Sequence, residues 1–197
     1  MYSEADIITG GDSRIFALFP EKQCEIKQDN NINVLLGRCS SSKAALSQLY
    51  IMFKDSVFAI AFSIIGDYHL SEDCVAETFV RLTQLRNISP EKGNGKGIII
   101  TVARNTALEL RRRYRRDMRD FEMQCSGEPD VKVENSIYLN QLMQNLSDKQ
   151  RQIVVLKCCA ELTFKEIAKI VRSPESTVKS RYRKAMEILK EKAGDDK

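Results

Sequence analysis

Apolar residues recur at three- and four-residue spacing along most of this chain, and the runs stop where glycine, proline or a capping residue stands. Beginning at Ser42, the residues Leu46, Leu49, Phe53, Val57, Ile60, Ala61 and Ile64 form one helical stripe, which Gly66 closes. Ser71 can cap a second helix, with Glu72 and Asp73 near its positive end and Val75, Phe79 and Leu82 facing inward. Asn87 to Lys96 reads as a loop, marked by Ser89-Pro90 and Gly93-Asn94-Gly95. A third long helix is expected from near Gly97 to about Arg119, with Ile99, Val102, Ala103, Thr106 and Leu110 as its buried stripe. Periodicity then lapses until Ser136, where Ile137, Leu139, Leu142, Met143 and Leu146 start a second apolar set. Ser147 and Gln150 form a capping box for a helix with Ile153, Val154 and Leu156 inside. The pattern predicts an all-α chain: two small helical domains, residues 43–119 and 136–193, joined by a flexible linker, residues 120–135. Residues 1–42 are broken by Gly10-Gly11-Asp12, Phe19-Pro20 and Asn30-Asn31 and are expected to form a loosely held extension.

The last segment carries the clearest local motif. Thr163 and Glu166 make a second capping box, and Ile167, Ala168 and Ile170 give the short helix behind it an apolar face. Ser173 with Pro174 then opens another helix, whose Val178, Tyr182, Ala185 and Leu189 face inward. Its outer face carries Lys179, Ser180, Arg183 and Lys184. This is a helix-turn-helix whose second helix, apolar behind and basic in front, suits a DNA major groove.

Charge sharpens the picture. The net charge is only +4, but its distribution is uneven. Arg104 to Arg119 holds seven arginines against Glu109 and Asp117, and residues 136–193 carry twelve basic and six acidic side chains. Between them, residues 120–135 hold five carboxylates against Lys132. Two basic blocks about an acidic spacer fit two contacts with one polyanion; the plainer alternative is a pair of solvated helix faces. Past Leu110 the apolar stripe gives way to Arg111-Arg112-Arg113-Tyr114-Arg115-Arg116, an end that must meet solvent or a phosphate backbone. Enzyme chemistry has little to build on, with one histidine, His69, and no glycine-rich phosphate loop. The six cysteines lack C-x-x-C spacing, so no zinc or other cofactor is expected, and they read as reduced thiols of a cytoplasmic protein. The apolar run from Val57 to Gly66 is too short to span a bilayer, so no membrane insertion is expected.

Taken together these segments resemble an extracytoplasmic-function sigma factor of bacterial RNA polymerase. The resemblance covers about residues 44–193. It rests on Ser71-Glu-Asp-Cys-Val-Ala-Glu-Thr-Phe-Val-Arg-Leu82, Ile99 to Leu108 with the arginine run, Leu146 to Leu156, Leu162 to Ala168, and Thr177-Val-Lys-Ser-Arg181. It implies that the first domain binds core RNA polymerase and captures the downstream promoter element as it opens, while the second reads the upstream element as duplex. An anti-sigma factor is a further implied partner. Asp73 and Glu77, four apart on one helix face, become the polymerase contacts; helix-start charge alone accounts for Asp73 better than for Glu77. Asn105 is assigned to a base edge, and Arg104, Arg111, Arg112, Arg113, Arg115 and Arg116 to phosphates. Lys179, Ser180, Arg183 and Lys184 are the candidate groove contacts, with Thr163 and Arg181 on phosphates. The spacer of about 16 residues reaches roughly 55 Å when extended, enough for both domains to hold one duplex.

Four positions depart from the family pattern. Ala76 replaces a usual glutamine, Ile98 a usual tryptophan, Arg172 the glycine of the helix-turn-helix bend, and Ser173 the apolar residue after it. Arginine at a bend of positive φ costs energy, so either the turn differs or Arg172 is kept there to touch phosphate. Two other functions remain open at this point: a polymerase-independent helix-turn-helix regulator, and a sigma mimic that titrates an anti-sigma factor. Deleting residues 1–42 is expected to leave polymerase binding intact.

Overall fold

A computed structural model describes residues 29–85, 94–120 and 143–194 of the chain. Every extended regular element among them is an α-helix: α1 (Asp29–Arg38), α2 (Lys43–Ile65), α3 (Tyr68–Gln84), α4 (Gly95–Asp120), α5 (Asp148–Cys158), α6 (Phe164–Val171) and α7 (Glu175–Gly194). The all-α fold matches the sequence pattern. Contacts divide the chain into two compact units, one of residues 24–129 and one that includes residues 130–197. Most of the segment expected as a linker, residues 121–135, and the loop residues 86–93 lie outside the described residues.

In the first unit α2, α3 and α4 pack pairwise, and α1 lies against α2 and α4. Ser42 caps α2 by accepting from the Ala45 N–H at 3.3 Å, and Gly66 ends it in the left-handed region at φ 79°. Leu49, Phe53, Val57, Ile60 and Ala61 fill the core as their spacing requires. Each such large side chain contributes about 1.5–3 kcal/mol when buried from water. By length and composition this 23-residue helix is apolar enough to cross a membrane, with a mean hydropathy of 1.4, which the shorter run Val57–Gly66 does not suggest. Its most apolar face is spent on packing within the unit.

Two expectations about this unit are corrected. The segment 29–42 is not a loose extension. Ile32, Leu35, Leu36 and Cys39 stand at i, i+3, i+4 and i+7, and all four are buried in the same core as Phe53 and Leu82. The Cys39 thiol donates to the carbonyls of Leu36 (3.0 Å) and Leu82 (3.3 Å), tying the end of α1 to the end of α3. Helix α3 also starts a turn earlier than Ser71. Asp67, directly after Gly66, accepts from the Leu70 N–H at 2.8 Å and takes the capping role. Ser71 is fully buried, its hydroxyl bonded to the Asp67 carbonyl, so Glu72 and Asp73 lie beyond the first turn.

The entry to α4 is built from four residues. The Asn94 side chain accepts from the Gly97 N–H at 2.9 Å, and Asn33 of α1, buried, accepts from the Gly95 N–H at 2.6 Å. A Cβ on Gly95 would sit 2.6 Å from Asn33 Oδ1 and 2.9 Å from Ile32 Cγ2, so glycine is required by close approach.

In the second unit both predicted capping boxes form, Ser147 with Gln150 and Thr163 with Glu166. Arg151 folds back to donate to the carbonyls of Met143 (3.0 Å) and Leu146 (3.2 Å), which fastens the preceding segment to α5. Helix α7 packs on both α5 and α6, burying Val178, Tyr182, Ala185 and Leu189. The Val178 N–H bonds the Pro174 carbonyl at 3.1 Å, so Pro174 takes the cap position expected for Ser173, and α7 begins at Glu175.

Candidate nucleic-acid interface

The arginine run on α4 divides by what each side chain meets. Arg111 turns inward: its Nη1 donates to the Ile64 carbonyl at 3.1 Å and satisfies one of the orphan carbonyls at the end of α2. Arg113 is held by Glu109 of the same helix at 2.8 Å and lies 3.7 Å from Glu77 of α3. Arg112, Arg115 and Arg116 are exposed and have no partner among the described residues. Arg112 lies seven residues after the exposed Asn105, so the two share a helix face, and Arg116 continues it. Arg104, also proposed for phosphate, is half-buried, and its Nε is enclosed. The sequence showed a single basic block; among the described residues the fold leaves three of its members exposed without a partner.

The two carboxylates proposed for the polymerase differ in the same way. Asp73 is exposed, with no ion-pair partner among the described residues. Glu77 is half-buried and bonded to Arg81 at 2.5 Å, and Arg81 also reaches Glu109 at 2.6 Å. The Arg113 and Arg81 guanidiniums hold the Glu109 carboxyl below the usual carboxylate range. Glu109 first, and Glu77 with it, in turn raise Arg81 against the opposing effect of its own partial burial. The Ala76 departure is exposed on the same helix; Ile98 is half-buried and packs against the core.

On the helix-turn-helix, Ser180, Arg183 and Lys184 are exposed on α7, with Ser176 one turn before Ser180. Ser176 is a polar position on the same stripe that the sequence reading passed over, although its spacing of four from Ser180 marks it. Arg183 lies 4.0 Å from Glu187, and both are mostly exposed, so the pair is weak. Lys179 does not stand free in front of the helix. Its ammonium meets Glu175 at 2.8 Å and lies 5.9 Å from the centre of the Phe164 ring, which Lys157 also approaches at 5.0 Å. Arg181 is half-buried. The Thr163 hydroxyl is committed to its capping box, at 2.7 Å from Glu166, though the residue is exposed.

Arg172 does adopt the left-handed conformation, at φ 52° and ψ 52°, in the bend between α6 and α7. The Ser173 N–H returns to the Ala168 carbonyl at 3.0 Å, so the turn is a Schellman motif with arginine where glycine is preferred. Arg172 is exposed and has no carboxylate partner among the described residues. A second non-glycine residue in this region, Glu161 at φ 49°, precedes α6 and was not anticipated. Cys158 and Cys159 at the end of α5 are pushed up by burial to about 11 and about 12, so neither is a nucleophile near neutral pH.

Two helical units of this kind, one ending in outward arginines and one a helix-turn-helix, define a class found by comparison. Residues 49–117 match the family model of sigma-70 region 2, and residues 136–189 match that of sigma-70 region 4. The chain belongs to the sigma-70 family. Its relatives place it in the extracytoplasmic-function (ECF) group. The ECF RNA polymerase sigma factor SigM of Bacillus subtilis is 26% identical over 152 residues, covering 74% of this chain and 93% of SigM. SigW of the same organism is 25% identical over 171 residues, covering 77% of this chain and 90% of SigW. The fold is shared with CnrH, solved in complex with the cytosolic domain of CnrY (TM-score 0.64, 18% identity, 85% of this chain and 99% of that one). It is also shared with the sigma factor RpoE of Bartonella quintana, solved with the anti-sigma factor NepR (TM-score 0.59, 20% identity, 77% and 98%).

Proposed function

We propose that this sigma factor joins core RNA polymerase, directs it to promoters of its own and assists DNA opening. Residues 29–119 form the polymerase-binding and downstream-element domain, with the outer face of α3, Asp73 foremost, against the polymerase. On α4, Asn105 meets a base edge, while Arg112, Arg115 and Arg116 hold backbone phosphates. Residues 136–193 form the upstream-element domain, and Ser180, Arg183 and Lys184 read bases in the major groove. Ser176 extends that reading surface, and Arg172 meets a phosphate beside it. A bidentate arginine contact to guanine supplies about 1–3 kcal/mol of discrimination. Opening requires bases to leave the stack at a few kcal/mol each, which the polar and cationic face of α4 helps to offset. The protein acts in the cytoplasm, and an anti-sigma factor is its natural regulator.

The observation that carries this reading is the group Arg112, Arg115 and Arg116, left outward at the end of α4 in a chain that also holds a basic recognition helix. A mimic that only titrates a regulator has no use for the first, and a simple helix-turn-helix regulator no use for the region before it. Run-off transcription with purified core polymerase on a promoter library tests it. Transcripts that require this protein support the proposal. Duplex binding without core and without transcripts would establish the stand-alone regulator instead, and capture of an anti-sigma domain with no DNA binding would establish the mimic.

A further inference from the structure

Glu77, Arg81, Glu109 and Arg113 close a ring of four charges between α3 and α4. Arg81 bridges Glu77 at 2.5 Å and Glu109 at 2.6 Å, while Arg113 bridges Glu109 at 2.8 Å and Glu77 at 3.7 Å. Two carboxylates and two guanidiniums leave the ring neutral. It contains one member of each interface that the family resemblance implies: Glu77 for the polymerase and Arg113 for phosphate. The side chains are 29–46% exposed, so an outside charge can reach them. The contacts are unequal. Arg81 is the less exposed guanidinium and sits close to both carboxylates; Arg113 is the more exposed, and its 3.7 Å contact with Glu77 is the longest of the four. When Glu77 is drawn away, Arg81 stays with Glu109, and the surplus positive charge falls on Arg113.

We infer that this ring couples polymerase binding to DNA binding: the free chain keeps Arg113 neutralised, and a polymerase cation that takes Glu77 turns Arg113 toward a backbone phosphate. The inference rests on the proposed function and adds to it Glu77 on the polymerase face and Arg113 among the phosphate contacts, the roles that the family resemblance implies. Coupling of this kind is reciprocal, so DNA held by Arg113 also readies Glu77 for the polymerase. One exposed pair of this geometry corresponds to a factor of roughly two to five in affinity.

The test uses the full chain with a promoter duplex, and with core polymerase measured separately. E77Q mimics the loss of Glu77 to a partner. It is expected to raise the affinity of the free protein for DNA about two- to five-fold and to steepen its salt dependence by about one phosphate contact. E72Q is the charge-matched control, since Glu72 on the same helix meets His69 at 3.8 Å and, among the described residues, no arginine or lysine; it is expected to give a smaller change and no steeper slope. In the R113Q background the gain from E77Q should vanish. Equal gains from E77Q with and without R113Q, or equal effects of E77Q and E72Q, would overturn the coupling. Core affinity separates the two levels. If E77Q weakens core binding yet acts additively with R113Q on DNA, the coupling alone fails; if core affinity is unchanged by E77Q, the assignment of Glu77 fails and takes the coupling with it.

Discussion

Replacing Arg172 by glycine should stabilise the second unit while weakening its hold on DNA. Arg172 lies at φ 52°, ψ 52°, and its N–H returns to the Ala168 carbonyl, so the bend needs the left-handed conformation whatever residue stands there. An L-residue with a Cβ pays about 1–2 kcal/mol in that region. Glycine removes this cost but adds about 0.4–1 kcal/mol of chain entropy in the unfolded state. The net gain for R172G is about 0.5–1 kcal/mol. For a unit of this size that corresponds to roughly 2–8 °C in its unfolding temperature. Hydrogen exchange of the α6 and α7 amides in the full chain reads this unit alone, and protection should rise by the same free energy. Binding to an upstream-element duplex should move the other way, its log–log salt slope becoming shallower by about 0.9, the share of one phosphate. Higher stability with lower salt sensitivity would show a strained arginine kept for contact with DNA. Unchanged or reduced protection in R172G would refute the argument from backbone strain.

Other predictions follow from the same structure. G95A should destabilise the first unit by about 1–3 kcal/mol, because its methyl group meets Asn33 and Ile32; chemical denaturation of the full chain measures it. Deleting residues 1–42 should abolish polymerase binding, contrary to the expectation from sequence, because it strips Ile32, Leu35, Leu36 and Cys39 from the core; circular dichroism and core pull-down report it together. Neutralising Arg112, Arg115 and Arg116 to glutamine should flatten the salt slope of DNA binding by about 2–3, whereas R111Q should change it little, since Arg111 is spent on the Ile64 carbonyl. The Glu109 carboxyl, held low by Arg113 and Arg81, contributes stability that is present above its unfolded-state pKa of about 4.3 and lost as pH falls toward its lower folded value. The unfolding midpoint should therefore fall less between pH 6 and pH 3 in E109Q than in the natural sequence, and salt should shrink the difference.

What could be read from sequence was whatever local chemistry decides. The stripe from Leu49 to Ile64, its beginning at Ser42 and end at Gly66, and the boxes Ser147–Gln150 and Thr163–Glu166 depend on residues within a few positions of each other. Arg172 belongs here too, since the family bend announced its conformation. Where neighbours compete, the reading slipped. Asn30-Asn31 looked like a break but lies in the first turn of α1, and Ser71 lost its cap to Asp67, which stands nearer the end of α2. The division of the arginine run was hidden where it is tertiary: Arg111 answers a carbonyl 47 residues away, and Arg113, besides Glu109 four residues before it, lies near a carboxylate on another helix. Lys179 was legible in principle, as Glu175 stands four residues before it.

The most direct test is open-complex formation by core polymerase with this protein, followed by permanganate reactivity of promoter thymines across a range of salt. With Arg112, Arg115 and Arg116 changed to glutamine, opening should fail at a lower salt concentration than with the natural sequence, while core binding persists. Identical opening by both proteins at every ionic strength would contradict the placement of DNA on α4.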